Sequence, residues 1–175
     1  IGRDEAVHRL AREMGAGWME DPGWDLNESL RQGFAWAFAG GAQACLFLPA
    51  DLPLLTAEAV DGLVERSDGL SRLVLAPAHD GGTTAILVPQ GVPFQPQMGE
   101  GSFARHLAGA REMGAAVEGY ASPGLALDID TPRDLRQLQE HLPGWEEELR
   151  AWRLFLDGQT ALATFLHSEK RSAVP

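Results

Sequence analysis

Short apolar runs alternate with amphipathic stretches along most of the chain. Apolar residues at helical spacing, several of them behind a residue that favours helix N-termini, predict helices over 5–14, 27–39, 57–66, 103–113 and 132–141. Short, mostly apolar runs predict strands over 44–48, 72–78, 85–89 and 115–120. This alternation predicts an α/β fold with a mostly parallel sheet that is covered by helices on both faces.

Acidic residues follow two of the apolar runs. Asp51 comes soon after the run at 44–48, and Asp128 and Asp130 close the run at 124–127. Both runs are typical of buried parallel strands, and ligands of open α/β sheets bind beyond the carboxyl ends of such strands. On an extended backbone the side chains of Asp128 and Asp130 leave the same face. If the two strands are neighbours, the three carboxylates outline a magnesium site, whereas the alternative is that Asp51 and Asp130 only cap the helices that follow them.

Two glycine-containing stretches are candidates for anion binding. Gly99-Glu100-Gly101-Ser102 precedes a predicted helix whose first N–H groups favour phosphate or carboxylate, and Arg105 adds positive charge there. A flexible loop that ends in an N-cap serine is the alternative. Gly81-Gly82-Thr83-Thr84 offers N–H groups and hydroxyls at a strand edge, although a tight turn followed by threonines in a β ladder explains this stretch nearly as well.

Composition and charge narrow the class of function. The chain has 175 residues, 45% of them hydrophobic, and its formal net charge of -11 argues against partners such as nucleic acid or anionic membranes. Cys45 is the only cysteine, which excludes a disulfide framework and fits the reducing cytoplasm. His79 and His106 lack metal-ligand spacing, and we interpret them as surface residues or as neighbours of a site. Because no Ser-His-Asp pattern is evident, the residues favour phosphate chemistry by magnesium, positioning and electrostatics.

The chain changes in character after residue 142. Trp145, Leu149, Trp152 and Leu156 form an apolar stripe at helical spacing. We therefore expect a domain over 1–142 and a C-terminal helical extension over 143–175. The extension either packs back on the sheet or forms a homodimer contact.

Four motifs in a fixed order resemble one enzyme family. They are Leu-Pro-Ala-Asp-Leu-Pro at 48–53, Gly-Gly-Thr-Thr-Ala at 81–85, Gly-Glu-Gly-Ser-Phe-Ala-Arg-His at 99–106 and Leu-Asp-Ile-Asp-Thr-Pro-Arg-Asp-Leu at 127–135. Together they are similar to those of the 2-phospho-L-lactate guanylyltransferases, also described as phosphoenolpyruvate guanylyltransferases, of coenzyme F(420) biosynthesis. The resemblance implies a nucleotide-diphospho-sugar-transferase-like, Rossmann-like fold. It also implies that GTP and a phosphorylated three-carbon acid give a guanylated diphosphate and pyrophosphate.

The resemblance also implies roles for individual residues. It assigns catalysis and magnesium binding to Asp51, Asp128 and Asp130. Binding of phosphoenolpyruvate or phospholactate falls to Thr83, Gly99 and Ser102, and the neighbouring Thr84, Gly101 and Arg105 complete the candidate substrate-binding set. Asn27 lies in a segment that approaches the nucleotide in the family.

The start of the chain also bears on the expected activity. Ile1 matches the end of the family's second strand, so we expect the fold to be N-terminally truncated, without the first strand and the basic loop that binds the triphosphate. We therefore expect this chain alone to be weakly active or inactive. Two other hypotheses stay open. One is a nucleotidyltransferase for molybdopterin, against which the loop at 99–105 argues, and the other is a degenerate, non-catalytic binding or assembly domain.

Overall fold

The computed structural model describes residues 1–21, 23, 25–142 and 144. The chain divides into two compact units, Ile1–Asp130 and Thr131–Pro175. The predicted limits, 1–142 and 143–175, stay a prediction. The tryptophan-containing stripe and its predicted dimer contact lie outside the residues that the structure describes. Within those residues, no helix combines the length and the apolar character needed to span a membrane.

The observed helices follow the predicted ones closely. In chain order they are α1 (Glu5–Glu13), α2 (Leu26–Ala39), α3 (Ala57–Arg66), α4 (Ser102–Glu112), α5 (Pro123–Ala126) and α6 (Pro132–His141). Side chains at the N-termini define several starts: Asp4 accepts from two N–H groups of α1, and Thr56 accepts from one of α3. Thr131 and Asp134 form a capping box on α6. Only the four-residue α5 was not predicted.

The sheet is mixed: three of its four strands run the same way and one runs opposite, so it is mostly but not wholly parallel. Its strands are β1 (Ala44–Phe47), β2 (Leu73–Pro77), β3 (Thr83–Pro89) and β4 (Val117–Gly119), in the order β1-β3-β2-β4. β3 pairs antiparallel with β1 and β2, and β2 pairs parallel with β4. The connection over 78–82 is too short for a parallel crossover, so β2 and β3 form a hairpin. Because β1, β2 and β4 still run the same way, their carboxyl ends share one edge of the sheet.

The core lies on both faces of this sheet, as predicted. Alternate residues of β2 and β3 point to opposite sides, in accordance with the two-residue period of a strand. One face packs against α3 and α5 through Leu63 and Leu125, both fully buried. The other face packs against α2 and α4 through Leu30 and Ala110. The helices packed on both faces therefore hold the carboxyl edge of the sheet in place.

The segment that carries Asp128 and Asp130 is not a strand, which corrects the prediction that its apolar run is a buried strand. Pro123 starts the short α5, and the chain then leaves the helix in an extended conformation at Leu127. The apolar residues Leu125 and Leu127 are buried, which explains the strand-like run in the sequence. A short buried helix and a short buried strand have the same hydrophobic pattern, so the sequence did not distinguish them.

Candidate active site

Two backbone hydrogen bonds bring the acidic segments together at the shared edge of the sheet. The N–H of His79, just after β2, donates to the carbonyl of Ala126 at 2.8 Å. The N–H of Ile129 donates to the carbonyl of Asp51, after β1, at 3.1 Å. The segment over 126–130 is therefore tied to the carboxyl ends of two parallel-running strands. The predicted convergence holds although the segment is not itself a strand.

The carboxylates of this edge repel one another. Burial raises the pKa of Asp51, and the negative charge of Asp130 adds to that rise. Burial likewise raises the pKa of Asp128, with further contributions from Asp130, Asp80 and Asp51. Repulsion between carboxylates requires that they lie close together. Asp80 was not among the predicted site residues, although it follows β2 much as Asp51 follows β1, and that position was the available signal.

Capping does not explain these acids. The N-cap of α3 is Thr56, whose hydroxyl accepts from the N–H of Ala59 at 3.2 Å. The N-cap of α6 is Thr131. Asp51 and Asp130 therefore do not have the capping role that the sequence left open.

The acidic edge is suited to a cation that also binds phosphates. In the described part of the chain, no three His, Cys, Asp or Glu side chains have the arrangement of a ready-made metal site. Magnesium typically binds to one or two carboxylates together with waters and substrate phosphates, and it does not require an all-protein cage. A cation would also relieve the repulsion that raises the pKa values of Asp51 and Asp128. These residues thus fit magnesium held jointly with a substrate, and magnesium itself stays a prediction.

The hairpin turn between β2 and β3 joins the acidic edge to the glycine loop before α4. Its His79 contacts the acidic segment, and the carbonyl of its Gly81 accepts from the N–H of Phe103 at 3.3 Å. At the start of β3, the hydroxyl oxygen of Thr83 lies 3.0 Å from that of Ser102. Thr83 and Ser102, predicted to share a ligand, are therefore in direct contact. Thr84 faces the other side of β3, where its hydroxyl donates to the carbonyl of Leu125.

Three side chains hold the loop over 97–101. Asn27, near the start of α2, accepts from the N–H of Met98 at 2.6 Å. The guanidinium of Arg105 donates to the carbonyl of Gln97 at 3.0 Å and to the carbonyl of Glu100. His106 accepts from the N–H of Gln97 at 2.7 Å. The loop is thus fixed by contacts from two helices.

The N-terminus of α4 has no side-chain cap. The N-cap is Gly101, which has a φ of 65°, and Gly99 has a φ of 116°. Both values lie in the region that glycine adopts without strain. Ser102 is the first residue of the helix and does not cap it, so the N-cap serine proposed as an alternative is wrong. The N–H groups of Ser102 and Phe103 already donate to the carbonyls of Gly99 and Gly81, so the attraction for an anion at this end comes chiefly from the positive end of the helix dipole beside the two glycines.

His106 is a buried neighbour of this site, which is one of the two positions that the sequence interpretation gave it. Its ring is 1% exposed and lies against Phe94, with the ring centroids 5.3 Å apart. Its Nδ1 lies 2.9 Å from the hydroxyl oxygen of Thr83. Burial, together with the positive charge of Arg105, lowers the pKa of His106 to about 4. At neutral pH the imidazole is therefore uncharged.

Comparison with known proteins shows the family to which the chain belongs. Residues 1–152 match the family model described as "Guanylyl transferase CofC like". The chain belongs to the CofC-like guanylyl transferase family. This confirms the family predicted from the four motifs, and it identifies the chain as a member of a family of transferases.

Curated relatives of this CofC-like protein carry related names. It is 39% identical over 143 residues to a phosphoenolpyruvate guanylyltransferase of Sphaerobacter thermophilus, which covers 82% of the chain and 69% of that relative. It is 41% identical over 136 residues to a 3-phospho-D-glycerate guanylyltransferase of Phenylobacterium zucineum, which covers 74% of the chain and 61% of that relative. The chain thus spans about two thirds of the length of these relatives.

A solved structure supports the fold of this CofC-like protein. The crystal structure of a proposed nucleotide-diphospho-sugar transferase from Desulfovibrio desulfuricans G20 matches it with a TM-score of 0.62 at 18% identity, over 79% of the chain and 62% of that structure. At this identity the likeness concerns the fold alone. It confirms the predicted nucleotide-diphospho-sugar-transferase-like architecture.

Proposed function

We propose that this CofC-like protein transfers the guanylyl group of GTP to a phosphorylated three-carbon acid and releases pyrophosphate. The observation that carries the proposal is the hairpin turn at 78–82, which contacts the acidic segment on one side and the start of α4 on the other. In the proposed enzyme, a site for phosphate-bound metal and a site for an anion would thereby be adjacent. The names of the curated relatives, which specify guanylyl transfer to phosphoenolpyruvate or 3-phospho-D-glycerate, support the same reaction.

The reaction needs no covalent enzyme intermediate. A phosphate oxygen of the acid attacks the α-phosphorus of GTP, and a new P–O–P bond forms as the bond to the β-phosphate breaks. Pyrophosphate leaves with the bonding electron pair. The protein's part in such a transfer is to align the two anions and to offset their charge.

The acidic edge would hold the metal. Asp51, Asp128 and Asp130 would bind magnesium, with Asp80 adding negative charge nearby. When bound, magnesium neutralises phosphate charge and orients the reacting phosphate. The pKa values of Asp51 and Asp128 are raised from an ordinary value near 3.8, so both carboxylates bind a cation more weakly as the solution becomes acidic.

The loop side would bind the acid. Gly99 and Gly101 allow a close approach to the backbone N–H groups at the start of α4, and Thr83 and Ser102 supply hydroxyls. The guanidinium of Arg105, which is exposed, would contribute positive charge beside the two glycines. These contacts would favour a small acid that carries both a phosphate and a carboxylate, and they would disfavour an uncharged acceptor. If that acid is phosphoenolpyruvate or phospholactate, the product would belong to coenzyme F(420) biosynthesis.

Phosphorus NMR tests the proposal directly. The chain is incubated with GTP, magnesium and one of phosphoenolpyruvate, 2-phospho-L-lactate or 3-phospho-D-glycerate, and the conversion of the phosphate monoester into a phosphoanhydride is followed together with pyrophosphate. We expect one acid to react faster than the others, and CTP to replace GTP poorly. Ser102→Ala should lower the rate about tenfold or more through loss of a hydrogen bond to a charged group. The exposed Ser71→Ala is the matched control. Because this chain alone is expected to be weakly active, a form extended upstream is assayed in parallel. GTP that stays unreacted with all three acids in both forms would contradict the proposal.

A further inference from the structure

Three buried side chains form a continuous series of hydrogen bonds beside the candidate anion site. The N–H of Gln97 donates to Nε2 of His106 at 2.7 Å, and Nδ1 of the same ring lies 2.9 Å from the hydroxyl oxygen of Thr83. That oxygen lies 3.0 Å from the hydroxyl oxygen of Ser102. His106 and Ser102 are each 1% exposed and Thr83 is 5% exposed, so solvent does not compete for these bonds.

The direction of the first two bonds of the series is determined at the N–H of Gln97. A backbone N–H can only donate, so Nε2 of His106 must accept and carries no proton. In the neutral imidazole the proton is then on Nδ1, which donates to the hydroxyl oxygen of Thr83. Either oxygen of the Thr83–Ser102 pair can be the donor, and in the direction that we adopt the hydroxyl hydrogen of Thr83 is donated to Ser102. Burial and the charge of Arg105, which lower the pKa of His106 to about 4, keep the ring in this neutral form near pH 7.

In this direction the last donor of the series has no acceptor in the described part of the chain. Ser102 then accepts from Thr83, and no bond from its own hydroxyl hydrogen is found among residues 1–21, 23, 25–142 and 144. A buried donor that is left without a partner costs about 1–3 kcal/mol. Ser102 is also the first residue of α4, directly after the two glycines with positive φ, where the helix N-terminus favours negative charge. The missing acceptor is therefore expected to be an oxygen of an anionic ligand.

We propose that His106 is a positioning residue for the phosphorylated acid: it orients Thr83 so that Ser102 donates its hydroxyl hydrogen to an oxygen of that acid. The proposal rests on the proposed function for the identity of the acid. If the δ donor at position 106 were lost, the hydroxyls of Thr83 and Ser102 would be free to reverse. Ser102 would then donate to Thr83 and present oxygen lone pairs to the anion, which disfavours binding.

Two substitutions of His106 separate its two hydrogen bonds. His106→Asn keeps a donor near the position of Nδ1 and loses the acceptor at Nε2, whereas His106→Gln keeps an acceptor near Nε2 and loses the δ donor. Both variants lose packing in a buried position, so the melting temperature should fall in both. The two variants should differ in their affinity for the acid. We expect His106→Gln to weaken phosphoenolpyruvate binding about tenfold or more, and the affinity of His106→Asn to stay within about threefold of wild type.

Isothermal titration calorimetry with phosphoenolpyruvate, 3-phospho-D-glycerate and GTP, each with magnesium, measures these affinities. GTP affinity should be equal in both variants, and the exposed His141→Asn serves as the control. Equal acid affinities in the two His106 variants would overturn the positioning role while leaving the proposed function intact. A wild-type chain that binds neither acid would instead overturn the proposed function and the ligand assigned to Ser102.

Two further measurements test the series itself. Imidazole nitrogen NMR of the unliganded chain should show the proton of His106 on Nδ1 at neutral pH, and a proton on Nε2 would overturn the proposal whatever the substrate.

Thr83→Val removes the middle hydroxyl and should weaken acid binding about as much as His106→Gln. Because the bonds act in series, the double variant should bind no more weakly than either single variant. Additive losses would contradict the proposed coupling.

Discussion

The carboxylates at the carboxyl edge of the sheet lower the stability of the unliganded protein. Asp51 and Asp128 have raised pKa values because they are partly desolvated and lie among other acids. A carboxylate whose pKa is raised by folding makes the folded state less stable once the pH exceeds that pKa. Strain of this kind at a cluster of like charges is typical of functional sites.

Asp128→Asn should therefore stabilise the protein and inactivate it. At pH 7 we expect the free energy of unfolding to rise by about 0.5–2 kcal/mol, in the range usual for removing such a conflict. The gain should vanish near pH 3.8 and below, where the wild-type carboxyl is itself protonated. Guanylyl transfer should fall by about 100-fold or more if magnesium is lost. Urea unfolding at the two pH values checks the first claim, and Asp61→Asn, an exposed acid of α3, is the control. A variant less stable than wild type at pH 7 would contradict this explanation.

The lowered pKa of His106 predicts a second pH dependence of stability, opposite in sign to that of Asp128. Its pKa is lowered from 6.5 to about 4, so the unfolded chain binds a proton in that interval that the folded chain does not bind. Stability should therefore fall as the pH decreases from 6.5 towards 4, by about 3 kcal/mol for a fully buried ring. His106→Gln should remove this part of the pH dependence, and His141→Asn should not. Denaturant unfolding from pH 7 to pH 4 measures it, and equal slopes for wild type and His106→Gln would refute the assignment.

At the scale of secondary structure elements, α5 sets the position of the acidic segment. Gly124 in this helix packs so closely that a Cβ there would lie 2.8 Å from the carbonyl oxygen of Leu54 and 3.2 Å from Cβ of Ala59. Gly124→Ala should displace α5 and cost about 1–3 kcal/mol of stability through overpacking, with a loss of activity. Gly17→Ala is the matched control, because its Cβ would meet only the ring of Trp36, which is 62% exposed. Equal melting temperatures for the two variants would contradict this role of α5.

The contact between α2 and the glycine loop gives a further prediction. Asn27 accepts from the N–H of Met98, so Asn27→Ala should loosen the loop and raise the KM for the phosphorylated acid about threefold to tenfold, with little effect on the KM for GTP. The exposed Gln32→Ala on the same helix is the control. Steady-state kinetics with each substrate varied in turn makes the test. The nucleotide-binding role that the family resemblance implies for Asn27 predicts the opposite result, a raised KM for GTP.

Elements that are specified locally were predictable from the sequence. The spacing of apolar residues and the caps Thr56 and Thr131 gave the bounds of α3 and α6 correctly. The pairing of β2 with β3 was one of two alternatives for the run at 85–89, and the short connection over 78–82 favours it. The helical turn of α5 was not predictable in the same way, because a short apolar run is buried equally well in a strand or in a helical turn.

Some residues of the candidate site could be proposed from the sequence, but the contacts between distant loops could not. The positions of Asp51 and Ser102 followed from a strand end and from a helix start, whereas Asp128 follows a short helix that the sequence analysis interpreted as a strand. Asp80 and the buried contacts of His106 were missed, because they depend on which loop lies beside which at the sheet edge. Such proximity between residues distant in sequence is a property of the folded chain, and no local pattern encodes it.

At the scale of the whole molecule, a chain of net charge -11 must bind substrates that are themselves anionic. Its general electrostatic field opposes them, so the proposed function derives affinity from local features: the glycine loop and helix N-terminus for the acid, and a proposed cation at the acidic edge. The hairpin turn at 78–82 joins these two features within the unit Ile1–Asp130. The central claim is that they form a single binding site.

The most direct test of this claim is a thermal-shift titration with phosphoenolpyruvate in the presence of GTP, with and without magnesium. A ligand at 100 times its Kd stabilises the folded state by about 2.7 kcal/mol, which a melting curve resolves. We predict a stabilisation that depends on magnesium, that is reduced in Ser102→Ala, and that loses its magnesium dependence in Asp128→Asn. Stabilisation of equal size with and without magnesium in all three proteins would show that the acids and the loop do not form one site.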